Sequence, residues 1–483
     1  MRKVTVKVGF VPSFRFRCTP WCEKMRSDSL AAFSRVRGLE VVVPQPGPQG
    51  TELDAQKGWS PHGMVASLDQ ADAMAEYFFA EKVDALILCP LDFGDERSAA
   101  KVAERLRVPV LLYATKEPPA PDSPLMGRVS DSYCGNLSMA SALYRRKIPF
   151  HFAGIFFPDE PAFQEEVSTF AAAVAVVKGL RGARLGQVGV RPVTFETVGY
   201  NEAALIQKFG QSVIYTELAD VVRAAQGLRE DDPRVLAAMQ RLKASAAQIT
   251  ISQSSMVKTA RLEAALADFW TGSRLSALAV QCWPSLQSEI GISMCAVQGR
   301  LTAESMLTSC EADVLGAVGM LVSYQSVLGE TVPHFIDWTI QHRQDPNRLL
   351  AWHCGNAPSC LARDPAQTAL RSRMDMTGTL PVVEDDAQAG LAQFQIKPGR
   401  VTFNRLVEYD NQWKMLIASG EIVPSEETLA GTWAWVRVRD HARLYRTLVE
   451  EGFVHHASMI HGDQTRELSL ACKFLDIKPV VVE

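Results

Sequence analysis

Through residues 1–360, short apolar runs rich in β-branched residues alternate with amphipathic helical patterns, and no other feature restricts the fold as strongly. Val4–Phe10, Leu39–Val43, Asp84–Cys89, Val108–Tyr113 and Phe150–Phe156 read as strands, with helices such as Leu68–Lys82 and Glu96–Leu106 between them. Strands that are apolar on both faces and separated by helices belong to parallel sheets covered on both sides. A second block of this kind starts near Phe163, with strands at Leu185–Val190, Ser212–Glu217 and Leu275–Cys282 and helices near 232–247 and 254–272. Asn201 is placed to cap the helix that begins at Glu202. From about residue 362 the pattern changes: Leu391–Ile396, Arg400–Glu408, Gln412–Glu421 and Thr432–Val438 are strands joined by turn signals, as in an antiparallel barrel or sandwich. The expected domains are therefore 1–170, 171–360 and 361–483.

Pro-rich connections are expected at 44–62 and 116–124. No strand is followed by GxGxxG or GxxxxGK[ST], which argues against a dinucleotide or P-loop site. A net charge of −4 gives no electrostatic reason to bind nucleic acid or an acidic membrane. No apolar run reaches the ~18 residues of a spanning helix, and the start reads as a strand rather than a signal peptide. The ten cysteines contain no CxxC pair, and several lie in apolar runs as buried thiols do. A reducing compartment, the cytoplasm, is the expectation.

The stretch Glu311–Pro358 concentrates chemistry-bearing residues. Apolar spacing from Ala312 to Leu328 predicts a helix with one buried face, ended by Gly329; Val332–Ile340 and Leu349–Trp352 follow as strands. Some sixteen helical residues carry the chain ~25 Å away, and the strand returns it by ~18 Å. Glu311 and Asp337 can therefore lie side by side, with His353 at the end of the next strand, outside the carboxyl ends of an α/β sheet. Singly, each has an ordinary reading as a helix-dipole partner, a turn cap or a loop anchor. Two carboxylates and an imidazole suit a divalent cation, and a further histidine is available among His455, His456 and His461. Strand alternation lets only one of His455 and His456 face a given pocket. The mixed oxygen and nitrogen set fits Mn²⁺, Mg²⁺ or Co²⁺ better than structural zinc. Gln281, Trp283 and Gln287 follow another strand and are suited to a hydroxylated ligand, while Asn356 sits in the loop beyond His353.

The segments CEADVLGA, FIDW and WHCGNAP resemble the L-fucose/L-arabinose isomerase superfamily, especially its shorter fucose-isomerase-like bacterial members. GVRPVTFETVGYNEAAL, CWPSLQ, FQIKPGRVTF and HHASMIHGD extend the resemblance over most of residues 180–483. The resemblance implies two Rossmann-like α/β domains with parallel sheets, a C-terminal antiparallel β-barrel, and Mn²⁺-dependent aldose–ketose interconversion. It makes Glu311 and Asp337 both ligands and proton-transfer bases, His456 the C-terminal metal ligand, and His353 a further ligand or substrate contact. Gln281, Trp283, Asn356 and Arg15 are the candidate substrate contacts. It also implies a homo-oligomer, trimer or hexamer, in which the N-terminal domain of one subunit closes the pocket of another. Two other readings stand beside it. One is an enzyme of this fold for an anionic, for example sulfonated, sugar, for which Arg15, Arg17 and Arg26 are available. The other is a sugar-binding protein without chemistry.

Overall fold

The computed structural model describes residues 3–117, 129–372 and 388–482, so residues 118–124 of the expected Pro-rich connection lie outside it. Its described residues fall into two compact units, one of 3–178 with 473–476 and the other of 179–472 with 477–482.

In the first unit, β1 (Val6–Ser13), β2 (Leu39–Val42), β3 (Ala85–Pro90), β4 (Val110–Thr115) and β5 (Phe150–Phe156) form a parallel sheet in the order β2-β1-β3-β4-β5. Every residue of β3 and β4 is buried, as expected for strands with helices on both faces. The helices Pro20–Phe33, Leu68–Ala80 and Glu96–Leu106 start where Thr19, Ser67 and Asp95 accept a backbone N–H of the first turn. The sequence reading of this block is sound in both strand and helix placement.

The second unit holds two sheets. β6 (Arg184–Val188), β7 (Ser212–Thr216), β8 (Ala277–Val280) and β9 (Thr308–Cys310) are parallel, in the order β9-β8-β6-β7. The helix Val314–Ser326 follows β9 and is buried on every side rather than on one face. It contacts β6, β8 and β9 of the parallel sheet as well as β10, β14 and β17 of the larger sheet, so no flank is left for water. Gly316 and Gly319 permit that approach: a Cβ at Gly316 would lie 2.6 Å from the Phe335 ring.

The larger sheet is mixed and contains β10 (His334–Gln341), β11 (Arg348–His353), β12 (Ala369–Ser372), β13 (Ala389–Gln395), β14 (Gly399–Tyr409), β15 (Gln412–Val423), β16 (Thr432–Arg437), β17 (His456–His461) and β18 (Lys478–Val482). From a two-residue strand at Gln248–Ile249 its order runs through β12-β13-β16-β11-β10-β17-β14-β15-β18, and β15 also pairs with β16. The residues expected to continue the parallel sheet, Asp337 and His353, thus belong instead to antiparallel neighbours in this sheet. Only Glu311 lies at the carboxyl end of a parallel strand. Leu350, Trp352, Trp433 and Trp435 pack together on β11 and β16. Among the described residues no helix is long and apolar enough to cross a membrane.

Candidate active site

Three adjacent antiparallel strands and one turn build the site. Asp337 on β10 lies directly opposite His456 on β17, so the two side chains share a face. His353 is the last residue of β11, the strand on the other flank of β10. Glu311 comes from the turn between β9 and the helix Val314–Ser326. Glu311 and Ala312 both adopt left-handed backbone, with φ of 64° and 56°. Two consecutive non-glycine residues in that region are costly, at roughly 1–3 kcal/mol each, and persist only where the surroundings impose them. Here Ala312 N–H is held by the Val280 carbonyl at 3.0 Å and Asp313 N–H by the Cys310 carbonyl at 3.1 Å.

The result is convergence. His456 Nε2 lies 3.2 Å from Glu311 Oε2 and 3.5 Å from Asp337 Oδ1, which puts the two carboxylates within about 7 Å of each other. Asp337, His353 and His456 offer ligand atoms that all lie within 4.8 Å of one another, as do Glu311, His455 and His456. Glu311 Oε2, Asp337 Oδ1, His353 Nε2 and His456 Nε2 are all buried without a hydrogen-bond partner. Four such atoms pointing together would be expensive in an apolar core. They fit a divalent cation that takes oxygen and imidazole ligands. Asp337 keeps 25 % of its side-chain surface accessible, so one edge of the cluster opens outward.

Neighbouring groups fix these donors. Trp283 Nε1–H donates to Glu311 Oε1 at 2.9 Å, which leaves Oε2 to face His456. The Trp283 ring meets Phe195 edge to face at 5.5 Å, and Phe195 meets His455 at the same distance. Phe335 packs against His456 at 4.8 Å and against His353 at 5.7 Å. The sequence reading missed Asp313, which is fully buried and accepts from His456 Nδ1 at 2.8 Å and from Arg405 at 2.5 Å. It also missed Arg405. A cation inside the apolar run VTFNRLV was the available signal, because a buried guanidinium requires an acid partner.

Charge follows geometry. Burial pushes the Glu311 carboxyl up, but the adjacent His456 ring outweighs it and leaves Glu311 below the usual carboxylate range. For Asp337, burial prevails over the opposing pull of His353 and raises it. Burial would lower His456, yet its bond to Asp313 and the Glu311 carboxylate beside it lift it to about 9. Burial and the adjacent His456 press His455 down to about 4.

The remaining sequence-predicted residues have defined places. Gln281 is committed on both ends of its amide, to Val190 N–H at 3.0 Å and Ser285 Oγ at 2.9 Å. Gln287 donates to Ser293 Oγ at 3.3 Å. Asn356 Oδ1 accepts from the ring of buried His334 at 3.1 Å. Arg15, in the first unit, pairs with Glu96 at 2.6 Å, bonds the Gly94 carbonyl and lies over the Phe93 ring. Arg26 bonds the carbonyls of Gly63 and Pro44, and Arg17 is exposed. The expectation that His455 and His456 face opposite ways does not hold, because His455 precedes β17 and both rings come within reach of Glu311.

Carboxylates and imidazoles thus gather on a strained turn and the face of a mixed sheet in an α/β scaffold, as groups that could hold a cation. Comparison with known proteins gives the class. Residues 36–181 match the model of the fucose/sulfoquinovose isomerase N-terminal domain, and 351–482 match that of the L-fucose isomerase C-terminal domain. Similar curated proteins are sulfoquinovose isomerases. That of Alkalicoccus urumqiensis is 26 % identical over 88 % of this chain and 91 % of its own length. That of Priestia aryabhattai is 24 % identical over 87 % and 91 %, and that of Clostridium sp. (strain MSTE9) is 25 % identical over 82 % and 86 %. The chain belongs to the fucose-isomerase-like superfamily.

Proposed function

We propose that this protein is an aldose–ketose isomerase for a sulfonated hexose of the sulfoquinovose type. The observation that carries the chemistry is the set of four buried, unpartnered ligand atoms on Glu311, Asp337, His353 and His456. The names of the curated relatives supply the substrate class. Isomerisation removes the proton from C2 of the aldose and returns one to C1, while a hydroxyl proton moves from O2 to O1. Glu311 and Asp337 are the two groups placed to carry the carbon-bound proton through an enediolate. Trp283 and His456 hold Glu311 in position, and Phe195, Trp283 and Phe335 give the cluster apolar neighbours. Glu311, Asp337, His456 and His353 would hold a divalent cation, which when bound supplies positive charge to the developing oxyanion and orients the substrate oxygens. The mixed donor set favours Mn²⁺, with Mg²⁺ and Co²⁺ as substitutes.

The finer architecture belongs to the same proposal. Pairing of β16 with β11, β11 with β10, β10 with β17, β17 with β14, β14 with β15 and β15 with β16 supports the C-terminal barrel. The family resemblance supports the division at about 170 and 360, a cytoplasmic trimer or hexamer, and a pocket shared between subunits; light scattering of the active protein tests the assembly.

The decisive experiment incubates Mn²⁺-loaded protein in D₂O with sulfoquinovose and, separately, with L-fucose and other neutral aldoses. Sulfonated ketose carrying deuterium at C1 is expected, because a proton held on a carboxylate exchanges with solvent. Selective turnover of a neutral sugar would overturn the substrate class. Binding without turnover of any sugar would leave the protein a binder. Ketose without deuterium would replace proton transfer by direct hydride movement.

A further inference from the structure

His456 is a two-sided histidine. One face looks toward Glu311 and Asp337, two carboxylates that can accept a proton from Nε2. The other face looks at Asp313, which accepts from Nδ1. A neutral imidazole has one N–H, so the two sides compete for it. If Nε2 carried the proton, the ring would donate to the carboxylates and have no lone pair for a cation.

Asp313 is built to win that competition. It is fully buried, and each of its oxygens is used twice. Oδ2 accepts from His456 Nδ1 at 2.8 Å and from Arg405 Nη1 at 2.5 Å. Oδ1 accepts from Arg405 Nη2 at 3.2 Å and from the Gly316 N–H at 2.8 Å. The forked guanidinium keeps Asp313 ionised, hence an acceptor only. The Gly316 bond caps the helix Val314–Ser326, so the carboxylate cannot swing away without uncapping it. Asp313 also follows directly on the left-handed Glu311–Ala312 pair, and its carbonyl is held by Ser309 Oγ at 2.8 Å.

We propose that Asp313, backed by Arg405, is a positioning residue that fixes the Nδ1–H form of His456 and thereby presents the Nε2 lone pair to the cation, while its backbone anchors the turn that aims Glu311. This rests on the cation reading of the site. Carboxylate partners behind metal-binding histidines typically govern affinity by 10–100-fold.

The test uses Asp313→Asn in the full-length protein. The amide keeps one oxygen, and the Gly316 N–H and Arg405 Nη2 hold it at the Oδ1 position, so its NH₂ faces His456 Nδ1. The ring proton is then forced to Nε2. Mn²⁺ affinity, measured by calorimetry, is expected to fall about 10–100-fold. ¹⁵N shifts of labelled histidine in the metal-free protein at high pH should assign Nδ1–H to His456 in wild type and Nε2–H in Asp313→Asn; a merely structural Asp313 leaves the ring proton where it was. Wild-type affinity in Asp313→Asn, or an unmoved ring proton, would overturn the proposal. If Asp313→Asn does not fold, the wild-type assignment decides: Nδ1–H supports the proposal and Nε2–H overturns it. If wild type itself binds no Mn²⁺, the cation reading fails, and the wild-type tautomer still tests the role of Asp313 separately.

Discussion

Acidification should weaken the site-bearing sheet through His334, and the size of the effect follows from its surroundings. His334 opens β10, is fully buried, and lies between Asn356 Oδ1 at 3.1 Å and Thr432 Oγ1 at 3.2 Å. Burial, with the charge of nearby His353 in support, pushes it down to about 3. Its folded value is thus below the ordinary ~6.5 of an unfolded histidine. Such a group contributes stability that is present above pH ~6.5 and is lost as pH falls toward about 3, because the unfolded chain takes up the proton first. At ~1.4 kcal/mol per pH unit, the loss between neutrality and pH 5 is about 2 kcal/mol. With an m-value of ~3 kcal/mol per molar urea, the unfolding midpoint moves by roughly 0.7 M. The assay is urea unfolding followed by fluorescence of the Trp352–Trp433–Trp435 cluster, which lies in the same sheet. His334→Gln should lack this part of the slope. Subtraction removes shared contributions, including that of His455, which has the same sign. Parallel pH curves for wild type and variant would refute the reasoning.

Glu311→Gln and Asp337→Asn should each lower turnover by roughly 10²–10⁴-fold; a folded variant with full metal content and wild-type rate would remove that residue from proton transfer. Trp283→Phe keeps the packing on Phe195 but removes a hydrogen bond to a charged group, worth about 1.5–3 kcal/mol, so kcat/KM should fall at least tenfold; an unchanged kcat/KM would show that Trp283 does not position Glu311. Chelation should abolish activity and Mn²⁺ should restore it, read by rate and metal content together; activity that survives complete metal loss would refute the cation reading. Iodoacetamide should label exposed Cys134 and Cys360 in the native protein and spare buried Cys282, Cys295 and Cys310, whose thiols are raised well above their ordinary value; mass spectrometry distinguishes the two sets, and rapid labelling of the buried set would show that the turn beside Glu311 opens.

What the amino-acid order determines by itself is local. The parallel strands of both blocks apart from Thr308–Cys310, the cap at Asn201, and the antiparallel pattern of the C-terminal strands follow from apolar period and turn chemistry within short windows. Glu311, Asp337, His353 and His456 stood out because their types and family motifs are visible one at a time. Only the tertiary structure decided how they meet. Asp337 faces His456 because β10 and β17 pair in one register, and a shift by one residue would turn one of them to the opposite side. The helix Val314–Ser326 is buried all round because a second sheet covers the flank that its own pattern leaves undefined. Asp313, which the sequence reading passed over, caps the helix Val314–Ser326. Its bond to a histidine 143 residues away depends on β17 passing beside that cap, and no local window contains both. Periodicity reports which face of an element is apolar; which distant polar groups share the space between two faces is set by how the sheets and the helix pack.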